Sequence, residues 1–310
     1  MIRMCTEQLT SRLDGVVSMI ATPFQSGEVD LGRLADFVEW QIAEGVCAIS
    51  PCTLFGETST LSLAEKAEII QTCVVAAGGM LPVIPGTGTN CTASTIVETE
   101  QARDLGADAV LVTVPYYSKP SQSGIIHHFE MLSRSVDIPI IIENRPSHTV
   151  VGLTAHTFEH LAGLPGIVGV VDASGNFASA APASRSVAGL PVFSGADDTA
   201  TGFVLGGGRG AWSSLANVMP GLVCSHYHAA RAGAVATAIK LHDRLAPLLS
   251  AINLEPHPAT IKHALSILEG FNTEVRLPLT TVEPTTADRI ERVIAGLPGN
   301  LRRQQAHVCF

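Results

Sequence analysis

The 310-residue sequence predicts a (β/α)8 TIM barrel with a C-terminal three-helix extension. Three observations predict it. Eight short segments are mostly apolar throughout rather than alternating, as strands buried on both faces of a parallel sheet are. Helical patterns with readable starts separate them, which is the βα alternation of a barrel. No GxGxxG follows the first segment, which weakens the alternative of an open dinucleotide-binding sheet.

The strand segments are 16–22 (VVSMIAT), 47–51 (CAISP), 82–87 (PVIPGT), 109–115 (AVLVTVP), 139–144 (PIIIEN), 167–173 (IVGVVDA), 191–196 (PVFSGA) and 211–216 (AWSSLA). Asp30 precedes a helix that Gly45 ends. Ser62 opens the next, with Glu65 three residues on as a capping box. Thr92 or Ser94 opens a third, running to Leu105 and stopped by Gly106. The repeat ends near residue 230, so the barrel is placed at 1–232 and the extension at 233–310. Within the extension, 234–252, 258–271 and 285–297 read as helices, and 300–310 as a frayed polar tail.

Composition narrows the partners. The net charge is -9 and no basic run occurs, so nucleic-acid binding is not expected. No apolar run reaches the ~18 residues of a membrane span, and the N-terminus lacks a signal-peptide pattern. Seven cysteines (5, 47, 52, 73, 91, 224, 309) form no C-x-x-C pair, which fits reduced thiols in a cytoplasmic protein.

Barrels of this kind carry their chemistry at the C-terminal strand ends. The polar residues collected there are Thr53, Glu57, Tyr117, Glu143, Asn144, His148, Asp172, Asp197 and Asp198. His226 and His228 stand two apart, a poor ligand spacing on a helix, and His127–His128 is no better. A metal site of Glu143, Asp172 and Asp197 would serve Lewis-acid enolate chemistry, but nothing in the spacing demands it. Neither metal nor cofactor is expected.

TPF (22–24), GE (56–57) within TLFGETSTL, PGTGTN (85–90), PYYSKPSQSG, NRPSHT, DASGN and EPHPATIK (255–262) occur in order. Together they resemble the dihydrodipicolinate synthase / N-acetylneuraminate lyase family of class I pyruvate aldolases, over roughly residues 15 to 298. The resemblance implies a homotetramer or dimer, and a lysine on the sixth strand that forms an imine with a 2-oxo acid. It also implies a fifth-strand tyrosine that relays protons and a G-[TS]-[TS]-G-E loop that binds the carboxylate. Matched position by position, the lysine becomes Val171 and the tyrosine becomes Glu143. The two loop hydroxyl residues become Leu54 and Phe55, with Thr53 at the first glycine. Tyr117 keeps its place, usually beside the partner subunit's site. His148 falls where some members have a carboxylate-binding arginine.

Valine forms no imine, because that step needs a primary amine. The chain has four lysines, Lys66, Lys119, Lys240 and Lys262; only Lys119, after the fourth strand, lies in a barrel-mouth loop. Two readings stand for Glu143. Burial would make it a general acid/base; alternatively it is ion-paired to Arg145 or another arginine as a structural repair. Two also stand for Leu54, Phe55 and Trp212: packing that fills the lysine's space, or one wall of a pocket for a bulky apolar ligand. Val171 by itself reads as core within that binding region. Asp172 points away from Val171 toward structural pairing. Glu57 is expected to hold the strand-2 loop through backbone donors.

The expected function is a divergent lyase of this family acting on a 2-oxo acid or related small carboxylate without an imine. Glu143 would be its acid/base, Tyr117 its relay, and Thr53 with amides 54–56 its anion site. The alternative is a pseudoenzyme that binds ligand or serves assembly.

Overall fold

A computed structural model describes residues 6–175 and 190–297; the expected tail at 300–310, and Asn176 of the DASGN motif, lie outside the described residues. The strands are β1 (Val16–Ser18), β2 (Phe24–Gln25), β3 (Glu28–Val29), β4 (Ala48–Ile49), β5 (Val110–Thr113), β6 (Ile140–Asn144), β7 (Ile167–Asp172), β8 (Val192–Ser194) and β9 (Ala211–Ser213). β2 and β3 form a small antiparallel hairpin. The other seven form one sheet in the order β4-β1-β9-β8-β7-β6-β5, parallel throughout.

The expected strand at 82–87 joins both edges of that sheet through parallel bridges, Ile49 with Val83 and Gly86 with Leu111. It both donates and accepts: Ile84 N and Thr87 N donate to Ile49 O at 2.9 Å and Leu111 O at 3.0 Å, and the Pro82 and Pro85 carbonyls accept from Ile49 N at 3.1 Å and Leu111 N at 2.9 Å. Pro82 and Pro85 themselves have no N–H to add. The missing donors explain why only isolated bridges form there. The first strand is likewise shorter than the apolar run that predicts it. Met19 N and Ile20 N still donate to the Ser213 and Ser50 carbonyls, but from there a side chain takes over: Ala21 N donates to Asn217 Oδ1 at 2.8 Å, and Asn217 Nδ2 donates to Met19 O at 2.8 Å.

The helices before the mouth follow their caps. They are α1 (Thr6–Arg12), α2 (Leu31–Ala43), α3 (Leu63–Ala77) and α4 (Thr92–Asp104). Asp30 caps α2 by accepting from Arg33 N at 2.9 Å. Ser62 and Glu65 form the reciprocal box on α3, which satisfies two of the free N–H groups of its first turn. Next come α5 (Gln122–Ser135), α6 (Pro146–Thr149), α7 (Ala155–Ala162), α8 (Ala200–Leu205) and α9 (Pro220–Arg231). The three C-terminal helices are α10 (Val235–Ile252), α11 (Ala259–Glu269) and α12 (Pro284–Gly296). No helix among the described residues is long and apolar enough to cross a membrane.

Strand residues of the sheet are almost all buried, so its interior is packed core rather than a channel. α11 is stapled to the mouth side of the sheet by a buried ion pair. Lys262 Nζ donates to Glu57 Oε1 at 2.6 Å and to Glu274 O at 2.7 Å, and lies 4.2 Å from the Phe24 ring centre. The second Glu57 oxygen accepts from Arg276 N at 2.9 Å. Glu57 thus holds the strand-2 loop in part through a backbone donor, Arg276 N, and that donor and Lys262 both come from the C-terminal segment. The reason is its backbone: at φ 56° its side chain leaves the 3-10 turn Leu54–Gly56 toward the extension.

Candidate active site

Thr113, Glu143 and Val171 end three neighbouring strands in matched register, Thr113 beside Glu143 and Glu143 beside Val171. Side chains in register on adjacent strands share a face. The carboxylate of Glu143, 2% exposed, is therefore placed between a hydroxyl and an isopropyl group. Thr113 Oγ1 donates a short hydrogen bond to Glu143 Oε2. Glu143 Oε1 accepts from Arg145 Nε at 2.8 Å. Both carboxylate oxygens are engaged, as a buried charge requires.

Arg145 extends the cluster. Its Nη2 donates to Gly195 O at 3.2 Å, at the end of β8. Its guanidinium carbon lies 5.4 Å from the Phe55 ring centre, and that ring stands 5.3 Å from His257 at the start of the loop into α11. His257 is pushed down to about 4, first by burial and then by the charges of Arg145 and His148, so it is neutral at pH 7. His148, on the rim and bonded to Ser147 Oγ at 3.0 Å, is also lowered, by desolvation first and Arg145 second, with Glu143 opposing.

The remaining sequence candidates divide. Thr53 is 3% exposed and its Oγ1 has no hydrogen-bond partner among the described residues. Leu54 is half-buried and Phe55 buried, so the strand-2 loop gives the mouth an apolar wall. Val171 is fully buried and Trp212 is 1% exposed, its ring 6.4 Å from Phe193. Asp172 turns away from Val171 and accepts from Asn144 Nδ2 at 2.8 Å and Ser174 Oγ at 3.0 Å. Asp197 accepts from Ser213 Oγ at 2.5 Å and from Ser214 and Leu215 amides, tying β8 to β9; burial raises its carboxyl against those bonds. No group of three metal-ligating side chains occurs among the described residues.

Tyr117 does not join the cluster. It is 89% exposed at φ 67°, and no hydrogen bond links it to Glu143 among the described residues. Within the single chain the two side chains therefore do not meet. The loop after β5 turns outward at Tyr117 and Lys119, both with positive φ. Among the lysines, Lys66 is paired with Glu98 at 2.9 Å, Lys262 with Glu57, and Lys119 and Lys240 are exposed.

Sequence reasoning missed Thr113, His257 and the Gly195 carbonyl. Thr113 has a usable signal, since it sits at the same strand end as Glu143. His257 does not, because it arrives from the extension through a contact that no spacing announces.

The sequence profile of the dihydrodipicolinate synthetase family matches residues 12–296. A 4-hydroxy-tetrahydrodipicolinate synthase of Roseobacter denitrificans is 44% identical over 275 residues, covering 88% of this chain and 94% of that protein. The synthase of Cereibacter sphaeroides is 43% identical over 286 residues, covering 91% and 99%. Among solved structures, dihydrodipicolinate synthase from Aquifex aeolicus superposes with a TM-score of 0.90 at 34% identity, covering 94% of this chain and 99% of that one. The Acinetobacter baumannii enzyme, crystallised with pyruvate, gives 0.89 at 34%, covering 91% and 98%. With its curled parallel sheet and its cluster at the strand ends, the chain belongs to the dihydrodipicolinate synthetase family.

Proposed function

We propose that the chain is a divergent lyase of this family that handles a 2-oxo acid or related small carboxylate without a lysine imine. The observation that supports it most directly is the register pair Glu143–Val171. The strand-end position that resembles the family's lysine holds a fully buried valine, and its neighbour is a carboxylate rather than a phenol. Lys66 and Lys262 are held in ion pairs away from this pair, and the other two lysines are exposed, so no amine is presented to it.

Without an amine, the chemistry falls to Glu143. A carboxylate held by Arg145 and Thr113 can take a proton from the carbon beside a bound carbonyl and return it, which is general acid/base work. The apolar wall of Leu54 and Phe55 would take the carbon chain of the ligand. In this reading the eight strand segments close into a (β/α)8 barrel over 1–232. Residues 233–310 form the helical extension, and the protein assembles in the cytoplasm as a homotetramer that brings a partner's Tyr117 to each mouth.

A second reading, a ligand-binding pseudoenzyme, is favoured by one observation: both Glu143 oxygens are already engaged and Tyr117 stands outside. One experiment separates the two. Pyruvate or 2-oxobutyrate is incubated with the protein in D2O, and deuterium entry at C3 is followed by NMR. A lyase shows exchange that Glu143→Gln abolishes; a pseudoenzyme shows none above buffer. In parallel, borohydride is added with pyruvate and the protein is weighed. A covalent adduct would overturn the imine-free reading.

A further inference from the structure

The guanidinium of Arg145 has three nitrogens, and the structure commits two of them. Nε donates to Glu143 and Nη2 to the Gly195 carbonyl. Nη1 has no partner among the described residues, although Arg145 as a whole is only 8% exposed. Arginine presents its donors as a rigid planar fork, so fixing two nitrogens also fixes the direction of the third. The Phe55 ring against the guanidinium removes water from one side and strengthens any charge-assisted bond made there.

The surroundings show which sign of charge this corner attracts. Glu143 lies behind Arg145, toward Thr113 and the sheet. Two histidines are close enough to feel Arg145, His257 against Phe55 and the exposed His148 bonded to Ser147 Oγ. Arg145 depresses both, and at His148 its influence exceeds the opposing one of Glu143. The ion pair therefore acts on the mouth as a dipole with its positive end outward. Both histidines being lowered, Arg145 is the standing cation of the corner.

We infer that Arg145 is the anion anchor of this site: its Nη1 takes a carboxylate oxygen of a small 2-oxo acid, whose carbon chain lies along Phe55. This rests on the imine-free reading above and adds the direction in which the ligand is held. The carboxylate is bound on the β6 side of the mouth by a side chain, and the reactive carbons lie beside Glu143, the residue whose Oε1 shares that same guanidinium. Thr53, whose buried Oγ1 has no partner among the described residues and which opens the 3-10 turn that carries Phe55, would supply a second donor.

The test uses calorimetric titration of the full chain with pyruvate. Arg145→Gln weakens binding about tenfold or more, the loss of one charge-assisted hydrogen bond. That variant also strands Glu143, so its fold is checked by circular dichroism. Glu143→Gln makes the sharper prediction, because its amide oxygen still accepts from Nε while the competing charge is gone. Pyruvate binding then tightens about fivefold or more. A purely structural ion pair gives no such gain. Wild-type binding that Glu143→Gln leaves within about twofold, or weakens, overturns the inference while the imine-free reading stands. A borohydride-trapped adduct on the wild type overturns that reading instead. Failure of the wild type to bind pyruvate overturns the inference and leaves the imine-free reading to the exchange and borohydride experiments.

Discussion

Two buried glutamates, each paired with a cation that sits against a phenylalanine, occupy the mouth side of the sheet. Glu57 pairs with Lys262 beside Phe24, and Glu143 pairs with Arg145 beside Phe55. They differ in closure. The Lys262 and Glu57 side chains are both 0% exposed, and every oxygen of Glu57 is used. The Arg145 and Glu143 side chains are 9% and 3% exposed, and one nitrogen of the fork has no partner among the described residues. The first pair joins the strand-2 loop to the helical extension and has nothing left to offer a ligand. The second has one donor left over. The comparison teaches that a buried ion pair becomes a site through what it leaves unsatisfied, and not through its burial or charge.

The largest expected effect lies in the closed pair. Lys262→Met keeps the volume but leaves Glu57 as an uncompensated buried charge, which costs about 3–5 kcal/mol in denaturant unfolding. A loss below about 1 kcal/mol would show that the pair is not the staple described. Burial lowers the Lys262 ammonium against the pull of Glu57, so the lysine is held there at a cost that only the pair offsets.

Next comes pH, which acts beside the open pair through His257. His257 titrates near 4 in the folded chain against a usual value of 6.5. The unfolded chain therefore binds this proton first, and stability falls as pH drops from about 6.5 to about 4. At about 1.4 kcal/mol per unit, discounted for the partial exposure of the ring, His257 accounts for about 2 kcal/mol of that loss. His257→Gln flattens the slope of unfolding free energy in that window; an unchanged slope would assign it to other groups, such as the buried His128, also lowered to about 4.

The smallest effect is at the hydroxyl behind Glu143. Thr113→Val removes the donor to Oε2 while preserving shape, and costs about 1.5 kcal/mol in thermal or chemical unfolding. It should leave pyruvate binding nearly unchanged, since Thr113 lies on the far side of the carboxylate from Arg145. A binding loss as large as that of Arg145→Gln would merge the two roles that the comparison separates.

Much of this was legible in the sequence, and what was not has a physical cause. Apolar runs located every segment of the sheet, and Ser62, Glu65 and Asp30 announced their caps, because strand burial and capping are local. The pairing of Glu143 with Arg145 was one of two open readings, and spacing alone could not rank them. The partner of Glu57 was not legible, because Lys262 lies 205 residues away. The strand at 82–87 was located but its bonding was overestimated, since apolarity does not report the missing N–H of Pro82 and Pro85. The outward course of the chain at Tyr117 was not legible, because it depends on a positive φ that no pattern reveals.

The register of Glu143 with Val171 also bears on what an amine could do at this spot. A lysine introduced at 171 would emerge beside an anion that favours its protonated form, and a protonated amine is no nucleophile. It would also crowd Gly195, where even a methyl group would stand 2.8 Å from Val171 Cγ1. Positions 143 and 171 are thus coupled: a working amine at 171 calls for a neutral neighbour at 143 as well as for space beside Gly195.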